Sequence, residues 1–362
     1  MNKKHGLLLQ LLRVSLWGEI PSALPIGSVA DWEMLLDFAR QHSVQGLVAN
    51  GILSLAQRCD AGVPGQIVRQ CLNCKFATIH NNVRVNQVLS KVLLLLKSYH
   101  LAPIVLKGQG VARYYPEANF RVPGDIDIYL GKDSERGAAV LLPLADNGVN
   151  YGHSKHICLE IDGVEIELHR LAVDKVSTCQ SRVMTEWSES KLRQLANRQA
   201  DSLPDPLFDI VFGFYHLWYH FLYTGVGLRQ FCDWAMVLHR HHASVSATEL
   251  ETLLRKMGLL REWQLLGLFL TDRLGLPQEQ FPLYSNRHRM AARLMATHIM
   301  ELGNFGIAIS AAREQAYRSH PRIRRLIHFS YAVRTRFYKF LLSPKVVSRR
   351  FLLGHLPFSH FR

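Results

Sequence analysis

The chain has 362 residues and a formal net charge of +14, with 48% hydrophobic and 20% charged residues. That length supports a substantial buried core in two or three structural units, and the balance excludes a disordered chain. Six cysteines scattered without a compact framework exclude a disulfide scaffold and read as the reduced thiols of a cytosolic protein.

Met1 to Lys4 followed by Leu7, Leu8 and Leu9 has the outline of a secretion signal. Gln10 and Arg13 interrupt the apolar run and no small-residue cleavage site follows, so an amphipathic first helix is expected. Residues 1–98 read as an N-terminal helical segment. Within it Val83, Leu89, Val92, Leu93 and Leu96 recur at helical spacing, with Asn81 or Asn82 as the cap. Cys71 and Cys74 form a CxxC with no second pair at zinc-ribbon spacing, which favours idle thiols on a helix.

The pattern changes in residues 99–205. Pro103-Ile104-Val105-Leu106 is an apolar, partly β-branched run that enters a turn at Lys107-Gly108-Gln109-Gly110. A short helix is expected from Val111 to Tyr115, stopped by Pro116. Asp125 to Leu130 alternates strictly and reads as a strand. A helix over Ser134–Ala145 follows and ends at Asn147-Gly148. The runs His156–Ile161 and Val164–His169, joined by Asp162-Gly163, predict a hairpin. Residues 206–320 read as helical again. The apolar stretch Ile210–Tyr223 contains His216 and His220 and is too short to span a bilayer comfortably, so a buried helix is expected there.

Side chains two apart on a strand share a face. Asp125 and Asp127 therefore project together, and two adjacent carboxylates are tolerated when a divalent cation sits between them. Oxygen ligands with open positions suit Mg²⁺ or Mn²⁺. Glu165, Glu167 and His169 share a face of the hairpin in the same way, so either glutamate is a third acid for a metal site. The Gly108-Gln109-Gly110 turn offers backbone N–H groups and a helix start to a triphosphate, with Lys107 and Arg121 to neutralise its charge. His216 and His220, at i and i+4, lack the intervening glutamate of a zinc protease and read as core or substrate-pocket histidines. Arg229 and Asp233 have the spacing of an intrahelical ion pair, and they stand where the cleft wall is expected.

The run Leu106-Lys107-Gly108, then Tyr115-Pro116, Arg121 and Gly124-Asp125-Ile126-Asp127, resembles the uncharacterised nucleotidyltransferase family of the DNA polymerase beta-like superfamily. Glu167-Leu168-His169-Arg170 resembles the family's third acid before a histidine, which favours Glu167 over Glu165. Where the wider superfamily usually has Gly-Ser, this chain has Gly108-Gln109. The resemblance implies an α+β fold, a small mixed nucleotidyltransferase-type sheet with helical segments on both sides. It implies transfer of a nucleoside monophosphate from a nucleoside triphosphate to a hydroxyl or phosphate acceptor. Asp125, Asp127 and Glu167 would hold Mg²⁺ or Mn²⁺, and Lys107, Gly108, Gln109 and Arg121 would bind the nucleotide. An acceptor in bacterial surface polysaccharide synthesis fits relatives of this kind. A toxin-like tRNA nucleotidyltransferase, a protein-modifying enzyme and a catalytically idle nucleotide- or glycan-binding module are the competing readings.

Residues 321–362 form a basic aromatic tail. Ten Lys or Arg and no acid lie between Pro321 and Arg362, among them Arg322, Arg324, Arg325, Arg334, Arg336, Lys339, Arg349 and Arg350. Phe329, Phe337, Tyr338, Phe340 and Leu341 are interleaved with them, a pattern that favours an anionic membrane surface over RNA. The expected location is the cytoplasm, peripheral at the inner membrane face.

Overall fold

A computed structural model describes residues 3–21, 28–58, 62–174, 178–197, 203–303 and 324–347. Four helices come first: α1 (Lys3–Trp17), α2 (Val29–Gln41), α3 (Gln45–Arg58) and the long α4 (Gly65–Ser98). Then β1 (Ile104–Leu106), the one-turn α5 (Gln109–Ala112), β2 (Ile126–Tyr129) and α6 (Ser134–Leu141) lead to the short β3 (Val149–Asn150). The hairpin β4 (His156–Ile161) and β5 (Val164–His169) follows, and then α7 (Cys179–Asn197). The remainder is helical: α8 (Pro206–Tyr223), α9 (Leu228–His241), α10 (Ala247–Met257), α11 (Leu260–Phe269), α12 (Arg289–Leu302) and α13 (Arg324–Leu342). The fold is α+β, as the resemblance implies.

The sheet order is β1-β2-β5-β4-β3, antiparallel throughout except for the parallel pair β2 and β5. The expected hairpin forms at the expected residues. Its turn carries Asp162 at φ 50° and Gly163 at φ 68°, the left-handed pair that matches strand twist. Alternation then sorts the side chains. Ile126, Ile128, Ile157, Leu159, Ile166 and Leu168 are buried on the back of the sheet against Val85, Val88, Val92 and Leu96 of α4 and Ala138 and Leu141 of α6. The polar residues of the same strands face forward.

Helix α4 corrects one expectation. It begins at Gly65 and runs unbroken through Asn82, so neither Asn81 nor Asn82 is its cap. Asn82 is buried instead, and its amide donates to the carbonyls of Asn119 and Arg121 at 3.1 and 2.9 Å. Cys71 sits in the apolar core on this helix, where burial pushes its thiol up to about 12.

The N-terminal and C-terminal helices share one apolar cluster. Leu8, Leu11 and Leu12 of α1, Ile52 of α3, Trp218 of α8, Trp234 of α9 and Trp263 of α11 all belong to it, as do Ile104 and Leu106 of β1. Glycine permits close approaches inside it: a Cβ on Gly267 of α11 would overlap the Phe281 ring, and one on Gly213 of α8 would stand 3.3 Å from the Trp234 ring.

Of the tail, α13 packs on this cluster through its C-terminal end. Leu342 and Ser343 are buried, Trp218 donates to the Ser343 hydroxyl at 2.9 Å, and that hydroxyl donates to Glu262 at 2.7 Å. Tyr338 stacks on His298 at 4.3 Å, while Phe337 and Phe340 are exposed. Arg322, Arg349 and Arg350, and the side chains of Arg324, Arg325 and Phe329, lie outside the described residues. No described helix is long and apolar enough to cross a membrane.

Candidate active site

The forward face of the sheet brings the strand-borne acids together through register. β2 and β5 run parallel with Asp127 opposite Glu167, and β1 sets Leu106 opposite Asp127. The residue after Leu106 is Lys107, whose ammonium lies 3.1 Å from Asp127 Oδ1 and 4.0 Å from Asp125 Oδ2. The His169 ring nitrogen Nε2 is 2.8 Å from Asp127 and 3.1 Å from Glu167. Asp127 and His169 are each only 1% exposed at the side chain, whereas 35% of Asp125 faces the cleft.

The charges are mutually supporting. Burial opposes ionisation of Asp127, but Lys107 and a hydrogen bond from His169 outweigh it and hold the carboxyl below its ordinary value. The same contest leaves Glu167 ionised, its pKa brought down to about 2 by the His169 hydrogen bond. Burial likewise works against the Lys107 ammonium, and Asp127, Asp125 and Glu167 more than compensate and raise it. His169 is raised by the two carboxylates it touches in spite of burial. Glu165 differs. It is exposed and accepts no hydrogen bond among the described residues, and burial with repulsion from Asp125 and Glu167 pushes it upward.

The donor set fits a hard divalent cation. Asp127, Glu167 and His169 each place one ligand atom within 4.8 Å of the other two, with Asp125 beside them. Glu167 also belongs to a second set on the other side, where His156 and Cys158 of β4 offer softer nitrogen and sulfur atoms within the same limit. Cys158 is the register partner of Glu167, and His156 stacks on His153 at 4.1 Å.

The turn after β1 is strained in the way a ligand loop is. Lys107 has φ 36° and Gly108 φ 49°, both left-handed. Its helix, however, is a single turn, so a helix dipole adds little to anion binding. The N–H groups of Gly110, Val111 and Ala112 are engaged by the carbonyls of Lys107 and Gly108, which leaves the N–H groups of Gly108 and Gln109 to meet a phosphate. The Gln109 side chain turns away and donates to Asn86 of α4 at 2.6 Å.

Arg121 is also committed elsewhere. It grips Asp233 of α9 with both arms, Nε to Oδ1 at 2.7 Å and Nη2 to Oδ2 at 2.8 Å, and Tyr115 donates to the same carboxylate at 2.6 Å. This corrects the expected pairing of Asp233 with Arg229. Arg229 donates to the carbonyls of Val122 and Pro123 at 3.3 Å and lies 3.2 Å from where a Cβ on Gly124 would be. Together with Asn82, these contacts pin residues 121–124 and so fix where Asp125 enters the site.

A cleft opens between this turn and the helices α8 and α9. Lys107, Gly108, Asp125 and Asp127 line one end, and Asp209, Phe212, His216 and Trp234 line the helical wall. Burial drives the His216 pKa well below its ordinary value and that of His220 down to about 3, so both rings are neutral. Asp209 escaped the sequence reading. Placed in the first turn of α8 behind the Asp205 cap, it reads as an ordinary helix-start acid, and only tertiary structure shows that it faces the cleft.

A small mixed sheet with an Asp-x-Asp strand, a third acid in register on the parallel neighbour and a glycine turn beside them defines a nucleotidyltransferase-type fold. The chain belongs to a family described as uncharacterised nucleotidyltransferase, which matches residues 28–275. No curated protein and no solved structure matches it.

Proposed function

We propose that the protein moves a nucleoside monophosphate from a nucleoside triphosphate to a hydroxyl or phosphate acceptor in a metal-dependent reaction. The observation that carries this reading is the register of β2 against β5, which puts Glu167 beside Asp127, a residue that lines the cleft together with Asp125 and Lys107. Mg²⁺ or Mn²⁺ held by Asp125, Asp127 and Glu167 would supply charge neutralisation for the triphosphate and make the acceptor oxygen a better nucleophile.

The residues divide the work. In this reading the acceptor oxygen bonds to the α-phosphorus, the bond from that phosphorus to pyrophosphate breaks, and the acceptor proton leaves with the solvent or a carboxylate. Lys107 sits where negative charge builds on the phosphoryl oxygens, and a fixed cation in a water-poor cleft stabilises that charge. The strained Lys107-Gly108 turn presents its N–H groups to the departing pyrophosphate. His169 orients Asp127 and Glu167 together, holding both carboxylates ionised before any ligand arrives. The clamp of Arg121 on Asp233 keeps the strand entry rigid, which serves positioning rather than phosphate contact.

The test is thermal unfolding with each nucleoside triphosphate, with and without Mg²⁺ or Mn²⁺. At a ligand concentration ~100 times Kd the expected gain is about 2.7 kcal/mol of stability. It should require the metal and vanish in Asp125→Ala/Asp127→Ala. A folded sample that shows no shift with any triphosphate and metal overturns the reading.

A further inference from the structure

Asp209 is the one acid in the helical wall of the cleft that the proposed reaction leaves without a task. It is 7% exposed, and its carboxylate has no hydrogen-bond or ion-pair partner among the described residues. Burying an unpartnered carboxylate is expensive, and such a group persists where a ligand completes it. Its surroundings limit what that ligand is. Asp209, Phe212, Gly213 and His216 stand at i, i+3, i+4 and i+7, one stripe along the cleft side of α8. His216 feels the charge of Lys107, whereas Asp209 feels Arg113 and Asp205, so the two mark opposite ends of the stripe, roughly 10 Å apart along the helix.

Between those ends the wall is apolar. Gly213 contributes no side chain, Phe212 is stacked on Phe208 at 5.2 Å, and Trp234 has its N–H committed to the Ile210 carbonyl at 3.1 Å. Arg229, Gln230 and Asp233 also line the cleft, but Arg229 is held by the Val122 and Pro123 carbonyls, Gln230 accepts from the Gly227 N–H and Asp233 is clamped by Arg121, so a ligand meets aromatic edges, Val237 and the Asp209 carboxylate. A sugar or peptide would leave several hydroxyl or amide groups facing hydrocarbon there. A heteroaromatic ring buries both faces and brings its polar atoms to one edge.

We propose that this slot is the nucleobase subsite of the donor and that Asp209 selects guanine. The inference rests on the nucleotidyl-transfer reading above. A carboxylate offers two acceptors side by side, and guanine alone among the four common bases presents two adjacent N–H donors, N1–H and the N2 amino group, on one edge. Adenine, cytosine and uracil each put an acceptor where a donor is needed. The distance along α8 sets the base beyond the phosphates bound near Lys107.

The experiment is equilibrium binding of GTP, ATP, CTP, UTP and inorganic tripolyphosphate in Mg²⁺ at pH 8, where the Asp209 carboxyl is ionised, to the full chain, its Asp209→Asn variant and its Asp209→Ala variant. The wild type should prefer GTP over ATP by at least about tenfold. Asp209→Asn should reverse that order, because an amide offers one donor and one acceptor and matches the N1/N6 edge of adenine. Asp209→Ala should flatten the ranking, and tripolyphosphate should bind all three proteins alike. A ranking led by another base, or one unchanged in Asp209→Asn, overturns the guanine site while nucleotidyl transfer stands. If the wild type binds none of the five compounds, both readings fall.

Discussion

Asp209 carries a signature that does not depend on any ligand. Burial raises its pKa to about 7, with Arg113 offsetting only part of the effect. In the unfolded chain the carboxyl would titrate near 3.8, so the folded state holds the proton more tightly. Stability is therefore highest below pH 4 for this group and is lost as pH rises through 7. Asp209→Asn should consequently stabilise the protein at pH 8, by on the order of 3 kcal/mol, and the gain should fade toward pH 4. Denaturant midpoints of both proteins across that range measure it, and a gain independent of pH would refute the assignment. The contrast with Asp125, Asp127 and Glu167 shows what a sequence makes legible. Asp125 and Asp127 follow from a period of two, which with the Asp-Gly turn also sets Glu165 and Glu167 on one face; the preference for Glu167 comes from the family resemblance. Asp209 depends on which face of α8 meets the cleft, and nearly every residue of that helix is apolar enough to be buried.

At the scale of elements, the entry to β2 is held from three directions: Asn82 on α4, Arg229 and Asp233 on α9. Arg121 is 3% exposed, so removing its partner strands a buried cation. Asp233→Ala should cost about 3 kcal/mol, and the double variant with Arg121→Leu should recover part of that loss. Urea unfolding of both single variants and the double variant checks both claims, and a double-variant loss equal to the sum of the two single losses would mean the pair is not coupled. These contacts were illegible for a physical reason. Arg121 and Asp233 lie 112 positions apart, while Arg229 and Asp233 have helical spacing and invite the wrong pairing. Asparagine favours helix starts, and at Asn82 tertiary hydrogen bonds override that preference inside the helix. The hairpin, by contrast, was fully readable, since its turn chemistry and alternation are contiguous.

The whole molecule contains several buried neutral histidines. Burial lowers His42 to about 4 and both His220 and His298 to about 3. Each is uncharged in the fold, so its contribution is complete above pH 6.5 and is lost as pH falls toward 4. Asp209 and Glu262, both raised by burial, pull the other way over part of that range. The histidines are more numerous. The melting temperature should fall between pH 7 and pH 5, by the equivalent of a few kcal/mol. Both ring nitrogens of His298 are buried without a partner, and the ring stacks on Tyr338. His298→Phe should therefore keep the stack and flatten the acid slope in a thermal scan. An unchanged slope would show that α13 leaves this ring in water.

The parallel pairing of β2 with β5 has a consequence in time as well as in space. β4 and β5 close across a two-residue turn and need nothing else, whereas Asp127 and Glu167 are 40 positions apart and meet only after a long loop has been closed. The hairpin can form early and often. The carboxylate centre cannot exist until the last strand docks, and a slip of one residue there would turn Asp127 into the core and Ile128 into the cleft. Binding competence is thus a property of the finished sheet, so a chain caught midway in folding has no half-built site to occupy.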